Sequence, residues 1–149
     1  MTTHDYNLAL GRVRSERDVE TVLSSVLTSL EGVPGSVVGR GLSVDVRSPG
    51  READMYADIG IQVSVLCHFS VDLKSPDSFD ARRAAAIAAL RIVELMDADA
   101  ALTLYYERIL LKRLGGVLTL FEVPDFWKHY GAVDEVRGRF EVSDWIGYL

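Results

Sequence analysis

The alternation of apolar and polar residues predicts three strands in the first half of the chain. Tyr6, Leu8 and Leu10 alternate with polar or small residues, a period of two that is typical of a strand with one buried face. The same period recurs from Leu42 to Val46 and, over a longer run, from Ile61 to Leu73. Because successive strand side chains point to opposite faces, we expect one apolar and one polar face in this sheet.

Two segments between these strands have the period of an amphipathic helix. The first begins after Ser15, a residue suited to cap a helix N-terminus, and Gly32 is its predicted end. The second runs from about Phe79 to Met96, after a possible cap at Asp77 or Ser78, and its alanines favour helix. Apolar residues at helical spacing are Val19, Val22, Leu23, Val26, Leu27 and Leu30 in the first helix, and Ile87, Leu90 and Val93 in the second.

Two stretches lack either period and are predicted as connections. Gly32 to Gly41 contains four glycines and Pro34, which favour a loop. Ser48 to Asp58 is polar and is predicted as a longer, mobile connection.

A long β-hairpin is predicted from Leu102 to Trp127, with Gly115-Gly116 as its turn. Two consecutive glycines supply the positive φ angles that two-residue hairpin turns require. This turn would place Leu114 opposite Val117, Leu111 opposite Leu120 and Leu110 opposite Phe121.

The predicted order of elements is β-α-β-β-α-β-β, which indicates an α+β fold. The first six elements match the split βαβ arrangement of ferredoxin-like folds, with an antiparallel sheet, two helices on one face, and a last strand that extends the sheet. We expect a single domain over residues 1–149, since this length suits one core. The aromatic-rich extension from Pro124 to Leu149 should pack back on the domain, against the open sheet face; its aromatic residues are Phe126, Trp127, Tyr130, Phe140, Trp145 and Tyr148.

Composition narrows the classes of protein to consider. Hydrophobic residues at 48% and charged residues at 26% are ordinary globular values. The net charge of −6 argues against a nucleic-acid-binding protein, which needs a basic surface. There is no apolar run long enough to span a membrane and no secretory signal, so we expect a cytoplasmic location. A single cysteine, Cys67, excludes an internal disulfide.

Residues that could carry metal or nucleophilic chemistry do not form a known motif. His4, His68 and His129 are far apart in sequence and lack metal-ligand spacing, so structural or surface roles are favoured for them. Cys67 and His68 are adjacent on a strand and therefore point to opposite faces, which favours a buried, unreactive thiol. We expect no metal and no cofactor.

Acidic residues supply two further candidates. Glu52, Asp54 and Asp58 lie in the predicted connection without the ligand spacing of a calcium loop, and are expected to be solvated or to contact a partner. Glu107 lies in the apolar hairpin, where Arg108, Lys112 or Arg113 could neutralise it. An ion pair at the sheet face is favoured there over a catalytic carboxylate.

Scattered positions along the chain resemble the SitI-type family of bacterial immunity proteins. They are the opening strand Tyr6 to Leu10, Glu107, the basic pair Lys112-Arg113 before Gly116, the return strand Leu118 to Leu120, and Asp125-Phe126-Trp127. Asn7 stands where the family pattern has aspartate, and residues from Pro34 to Asp58 have no recognisable counterpart.

The resemblance implies a non-catalytic protein that binds and neutralises a cognate toxin. Candidate partner contacts are the aromatic and acidic residues Tyr105, Glu107, Trp127, Glu52, Asp54 and Asp58. The alternative is a ferredoxin-like ligand-binding or regulatory domain that acts as a dimer, so that either a monomer or a homodimer is possible. An enzyme that uses Glu107 or His68 is the third and least favoured class.

Overall fold

The predicted order β-α-β-β-α is present in the first part of the chain, with a short additional helix between its second and third strands, and the chain after it forms more strands than predicted. The computed structural model describes residues 2–30, 37–122, 125–144 and 147–149. Its helices are α1 (Glu16–Thr28), α2 (Ala53–Ala57) and α3 (Ser78–Met96). Its strands are β1 (Thr3–Gly11), β2 (Leu42–Arg47), β3 (Val63–Asp72), β4 (Asp99–Leu104), β5 (Arg108–Leu114), β6 (Val117–Phe121), β7 (Phe140–Ser143) and β8 (Gly147–Tyr148).

All described strands join one mostly antiparallel sheet. The strand order is β2-β3-β1-β4-β5-β6-β7, and β8 pairs with β5. Neighbouring strands are antiparallel except β6 and β7, which run parallel. The predicted α+β class is therefore confirmed at the level of a mixed fold with an open sheet, and the sheet has more strands than the five expected.

The main core lies between one face of this sheet and the two long helices. Leu8 and Leu10 of β1, together with Cys67 and Phe69 of β3, are fully buried in it. Ten residues of α3, six of them alanines, are buried against the sheet and against α1. Alanine permits close approach of helix and sheet, since it has no side chain beyond Cβ.

The opposite face of the sheet carries a smaller apolar cluster, which the sequence did not reveal. Ala9, Leu66 and Ala101 belong to it, and they alternate along their strands with residues of the main core. Tyr56 on α2 covers them and is fully buried. The connection Ser48 to Asp58 is thus not a mobile loop, because an aromatic anchor holds its short helix on the sheet.

The predicted hairpin is confirmed at its glycine turn and was wrong in its first strand. Leu111 pairs with Leu120 and Leu114 with Val117, as expected, while the register does not extend to a Leu110–Phe121 pair. The segment from Leu102 to Leu114 forms two strands, since the chain reverses between β4 and β5. The N–H of Glu107 donates to the carbonyl of Leu104 across this turn at 3.1 Å.

The C-terminal extension contributes to both faces of the sheet. Phe126, Trp127 and Tyr130 join the main core, on the helix side. Leu149 packs in the smaller cluster on the opposite face, and its N–H donates to the carbonyl of Glu107 at 2.8 Å. The extension was predicted to pack against the sheet face that carries no long helix, and among its described residues only the last ones do so.

Helix boundaries agree with the sequence at most positions. The Ser15 hydroxyl accepts a hydrogen bond from the N–H of Asp18 and caps α1, as predicted. Asp77 precedes α3 without a side-chain capping bond. The predicted α1 stop at Gly32, the loop residues Pro34 and Gly35, and the tail residues Pro124 and Trp145 lie outside the described residues.

Candidate partner-binding surface

Strands β2, β3 and β1 present polar side chains on the sheet face that points away from α1 and α3. The register places Asn7 beside His68, and His68 beside Asp45. We call this area the open face; it consists of Asp5, Asn7, Ser43, Asp45, His68 and Ser70. Because strand side chains alternate, the apolar neighbours of these residues enter the main core and hold the polar set in place.

His68 lies between two carboxylates at the centre of the open face. Its Nδ1 is 3.0 Å from Oδ1 of Asp45, and its Nε2 is 3.4 Å from Oδ1 of Asp5. The imidazole side chain is 22% exposed, whereas the two carboxylates are 36% and 55% exposed. Both carboxylates therefore keep part of their surface accessible to a cationic partner group.

Asp45 also binds a cation of its own strand. Arg47 donates from Nε to Oδ2 of Asp45 at 3.1 Å. Partial desolvation raises the pKa of Asp45, but hydrogen bonds from His68 and Arg47 outweigh it and leave that pKa below the ordinary value of 3.8. The group is thus a carboxylate at neutral pH and contributes fixed negative charge to the surface.

A buried hydrogen-bond network borders the open face where α2 crosses the sheet. The Tyr56 hydroxyl is 2.9 Å from Oγ1 of Thr103, and Thr103 donates to the carbonyl of Asn7 at 3.4 Å. The hydroxyl of Tyr106 donates to the side-chain oxygen of Asn7 at 3.1 Å. Burial raises the pKa of both tyrosines, so both hydroxyls remain protonated donors.

The three acidic residues predicted as partner contacts lie on and around α2. Asp54 and Asp58 are exposed, and Glu52 is half-buried. Glu52 is close enough to Tyr106 to add to the rise in that tyrosine's pKa, after burial itself. Helix α2 therefore adds negative charge at the margin of the open face.

Tyr105 and Glu107 occupy the turn between β4 and β5 and not the strand interior. Tyr105 and Tyr106 adopt positive φ angles of 55° and 58°, a rare conformation for bulky residues. The Tyr105 hydroxyl donates to the carbonyl of Thr3 at 2.8 Å, which ties the turn to β1. Glu107 is exposed, and Arg113, one of its expected partners, pairs with Asp97 at 2.5 Å.

Trp127 has no accessible surface in this structure. Its indole Nε1 donates to the carbonyl of Leu110 at 2.6 Å, and its ring contacts Phe126 at a centroid distance of 4.9 Å. A direct partner contact at this residue would need the tail to move. Trp127 instead holds the tail against β5.

The remaining histidines and the cysteine lie away from the open face. His4 packs edge-on against Tyr105 on the helix side, and His129 against Tyr130. Among the residues that the structure describes, no group of three potential ligands could hold a metal ion. Cys67 is fully buried, which confirms its expected place in the core. Burial raises its pKa to about 12 and so keeps the thiol protonated.

Comparison with known proteins identifies the family. A family model described as SitI3-like matches residues 4–131, from β1 into the tail. The chain belongs to the SitI3-like family. The match confirms the resemblance to SitI-type proteins, and it covers the open face, α2 and the β4–β5 turn of this SitI3-like chain.

Two other comparisons add no relatives. No curated protein and no solved structure matches this SitI3-like chain at a significant level. No described helix is long and apolar enough to cross a membrane.

Proposed function

We propose that this SitI3-like protein is a cytoplasmic immunity protein that binds a cognate protein toxin and neutralises it without catalysis. The observation that carries the proposal is the family match over residues 4–131. The match begins one residue into β1 and includes every strand from β2 to β6, and therefore all residues of the open face.

The arrangement of the polar groups favours recognition over chemistry. Asp5 and Asp45 each contact His68 on a sheet surface, and the three groups do not converge at the bottom of a cleft. Catalytic groups work best in enclosed, water-excluded sites, where electrostatic interactions are strong. A partly exposed carboxylate–histidine cluster is suited to contact a second protein.

The proposed toxin-binding surface combines the open face with the features at its margin. The proposed contacts are Tyr105 and Glu107 at the β4–β5 turn, and Glu52, Asp54 and Asp58 around α2. Trp127 stays in the proposal as the residue that holds the tail against β5. A stable complex buries on the order of 800 Å² per partner, so several of these features would act together.

The fold assignment is part of the proposal. The first four strands have the spatial order β2-β3-β1-β4, with α1 and α3 on one side, which agrees with a ferredoxin-like unit. The sheet continues through β5, β6 and β7, so we infer that residues 1–149 form a single domain.

The test is binding to, and protection from, the products of the neighbouring genes. Each product is titrated with the purified protein by calorimetry, and each pair is co-expressed while growth is followed. We expect one neighbour to be toxic alone, to bind tightly, and to lose its toxicity in the presence of this protein.

A matched pair of variants makes the test specific. Asp5→Lys, on the open face, should weaken binding and rescue, whereas Asp80→Lys, near the start of α3, should leave both unchanged. Absence of any toxic, bound neighbour would contradict the immunity role, and a concentration-dependent dimer would then favour the ligand-binding alternative.

A further inference from the structure

Strand β2 lies at one end of the sheet, and its outer edge has no partner strand among the described residues. Among the described residues, β2 pairs with β3 on one side, and on its other side only Leu42 is engaged, by the N–H of Gly39 at 2.8 Å. The backbone groups of a strand point alternately to its two sides. The stretch from Ser43 to Arg47 therefore presents outward N–H and C=O groups to which another strand can bind.

A groove runs along this outer edge, between β2 and α1. Its volume is about 760 Å³, and its apolar lining comes from both elements. Leu23 and Leu27 of α1 form one wall, and Val44 and Val46 of β2 form the other. Just after β2, Ser48 donates a hydrogen bond to Glu16 of α1 and so links the two elements. We call this feature the β2 groove.

The charged side chains that line the β2 groove have one sign. The charged side chains among its described lining residues are Glu20 of α1 and Asp45 of β2. Asp45 points to the open face, where Asp5 adds a second carboxylate on the far side of His68. A segment that lies along β2 would therefore meet apolar surface on its helix side. On its open side it would meet the two carboxylates of Asp45 and Asp5 and the single guanidinium of Arg47.

We propose that the β2 edge binds an extended segment of a protein partner, which joins the sheet as an additional strand. Alternate apolar side chains of that segment enter the β2 groove, and the basic side chains between them lie beside Asp45. Backbone hydrogen bonds supply affinity, and the alternation supplies specificity. The proposed site does not depend on the proposed function. The identification of the partner as the toxin does depend on the proposed function.

Charge complementarity favours a basic partner segment at the β2 edge over a second copy of the chain. Two copies would each bring a net charge of −6 and the same acidic groove to the contact. Like charges that face one another across paired strands are destabilising. A basic, extended segment instead neutralises the carboxylates.

The first test uses a defined peptide and requires no toxin. The probe is a ten-residue peptide of alternating valine and lysine, and its control has the same composition in two blocks, five valines followed by five lysines. Backbone amide hydrogen exchange is measured by NMR for the protein alone and with each peptide. We expect slower exchange of outward amides between Ser43 and Arg47 with the alternating peptide only.

Two protein variants determine where the peptide binds. Val44→Lys places an ammonium group in the apolar groove and should weaken peptide affinity at least about tenfold. Val142→Lys, at an exposed position on β7, should bind as the unmodified protein does. Leu27→Lys provides the same test from the α1 wall if Val44→Lys does not fold.

The alternative outcomes each overturn the inference. The first two are equal binding of the alternating and block peptides, and amide exchange in β2 that the alternating peptide leaves unchanged. The other two are groove variants that bind the peptide with full affinity, and self-association of the protein that protects the β2 amides without peptide. A toxin that binds tightly but leaves β2 exchange unchanged would also overturn it, while the proposed immunity role would stand. Peptide binding at β2 without any cognate toxin would leave the site intact and remove the immunity role.

Discussion

At the residue scale, burial separates the side chains that build the surface from those that can touch a partner. Trp127 and Tyr56 are both fully buried, and each has its polar atom hydrogen-bonded, to Leu110 and Thr103 respectively. Buried aromatic residues with satisfied polar atoms stabilise a fold through their large apolar area. Sequence alone does not distinguish them from exposed aromatic anchors such as Tyr148, which is 64% exposed.

Trp127→Phe should therefore lower the free energy of unfolding by about 1–3 kcal/mol, because the carbonyl of Leu110 loses its buried donor. Urea unfolding followed by circular dichroism measures the change. The control is Tyr148→Phe, at an exposed position, which we expect to alter stability by less than about 0.5 kcal/mol. An equal stability of Trp127→Phe and the unmodified protein would show that the tail is not anchored at this residue.

At the element scale, the predictable parts are those with repeated periodicity or with glycine in the turn. The Gly115-Gly116 hairpin was predicted with its register, because two glycines favour the positive φ angles that such a turn needs. The structure has these angles, 56° and 82°. The Tyr105-Tyr106 turn was missed because tyrosine rarely adopts this conformation. Tertiary contacts hold it there, including the hydrogen bond from Tyr105 to Thr3 at 2.8 Å.

Arg12 offers a test of backbone strain in the connection between β1 and α1. It is exposed and has a φ angle of 60°, which disfavours a residue with a Cβ atom. Arg12→Gly should raise the free energy of unfolding by up to about 1 kcal/mol, the strain relief exceeding the extra entropy of the unfolded chain.

The matched control for this change is Arg14→Gly, two residues further on, where φ is not positive. This variant should be neutral or slightly destabilised, because glycine there gains freedom in the unfolded chain without relieving strain. Thermal unfolding compares the two variants. The same effect on stability at both positions would contradict the assignment of strain to Arg12.

At the scale of the whole molecule, contacts distant in sequence add a strand to the sheet and place the tail. Strand β8 pairs with β5, and Leu149 joins the cluster of Tyr56 on the face opposite the long helices. On the helix side, Arg91 of α3 donates to the carbonyl of Glu135 at 2.6 Å and pairs with its carboxylate at 3.0 Å. The C-terminal extension thus contacts the domain at both of its faces.

Removal of residues 147–149 should destabilise the protein by about 1–2 kcal/mol, through loss of the Leu149 apolar contact and the pairing with β5. Urea unfolding again gives the value. The substitution Tyr148→Ala keeps Leu149 and the strand backbone, and should have the smaller effect. A truncated protein as stable as the full chain would show that β8 does not contribute to the fold.

The sequence by itself determined the two long helices, the alternation of strands β1, β2 and β3, the glycine hairpin and the family, because these depend on local periodicity, turn chemistry and recurrent residues. Only the tertiary structure decided that Asp5, His68 and Asp45 come together, that Trp127 is buried, and that β2 is an edge strand beside a groove. These features depend on strand order and register. They join residues up to 63 positions apart, as Asp5 and His68 are, and local sequence patterns do not encode contacts at that separation.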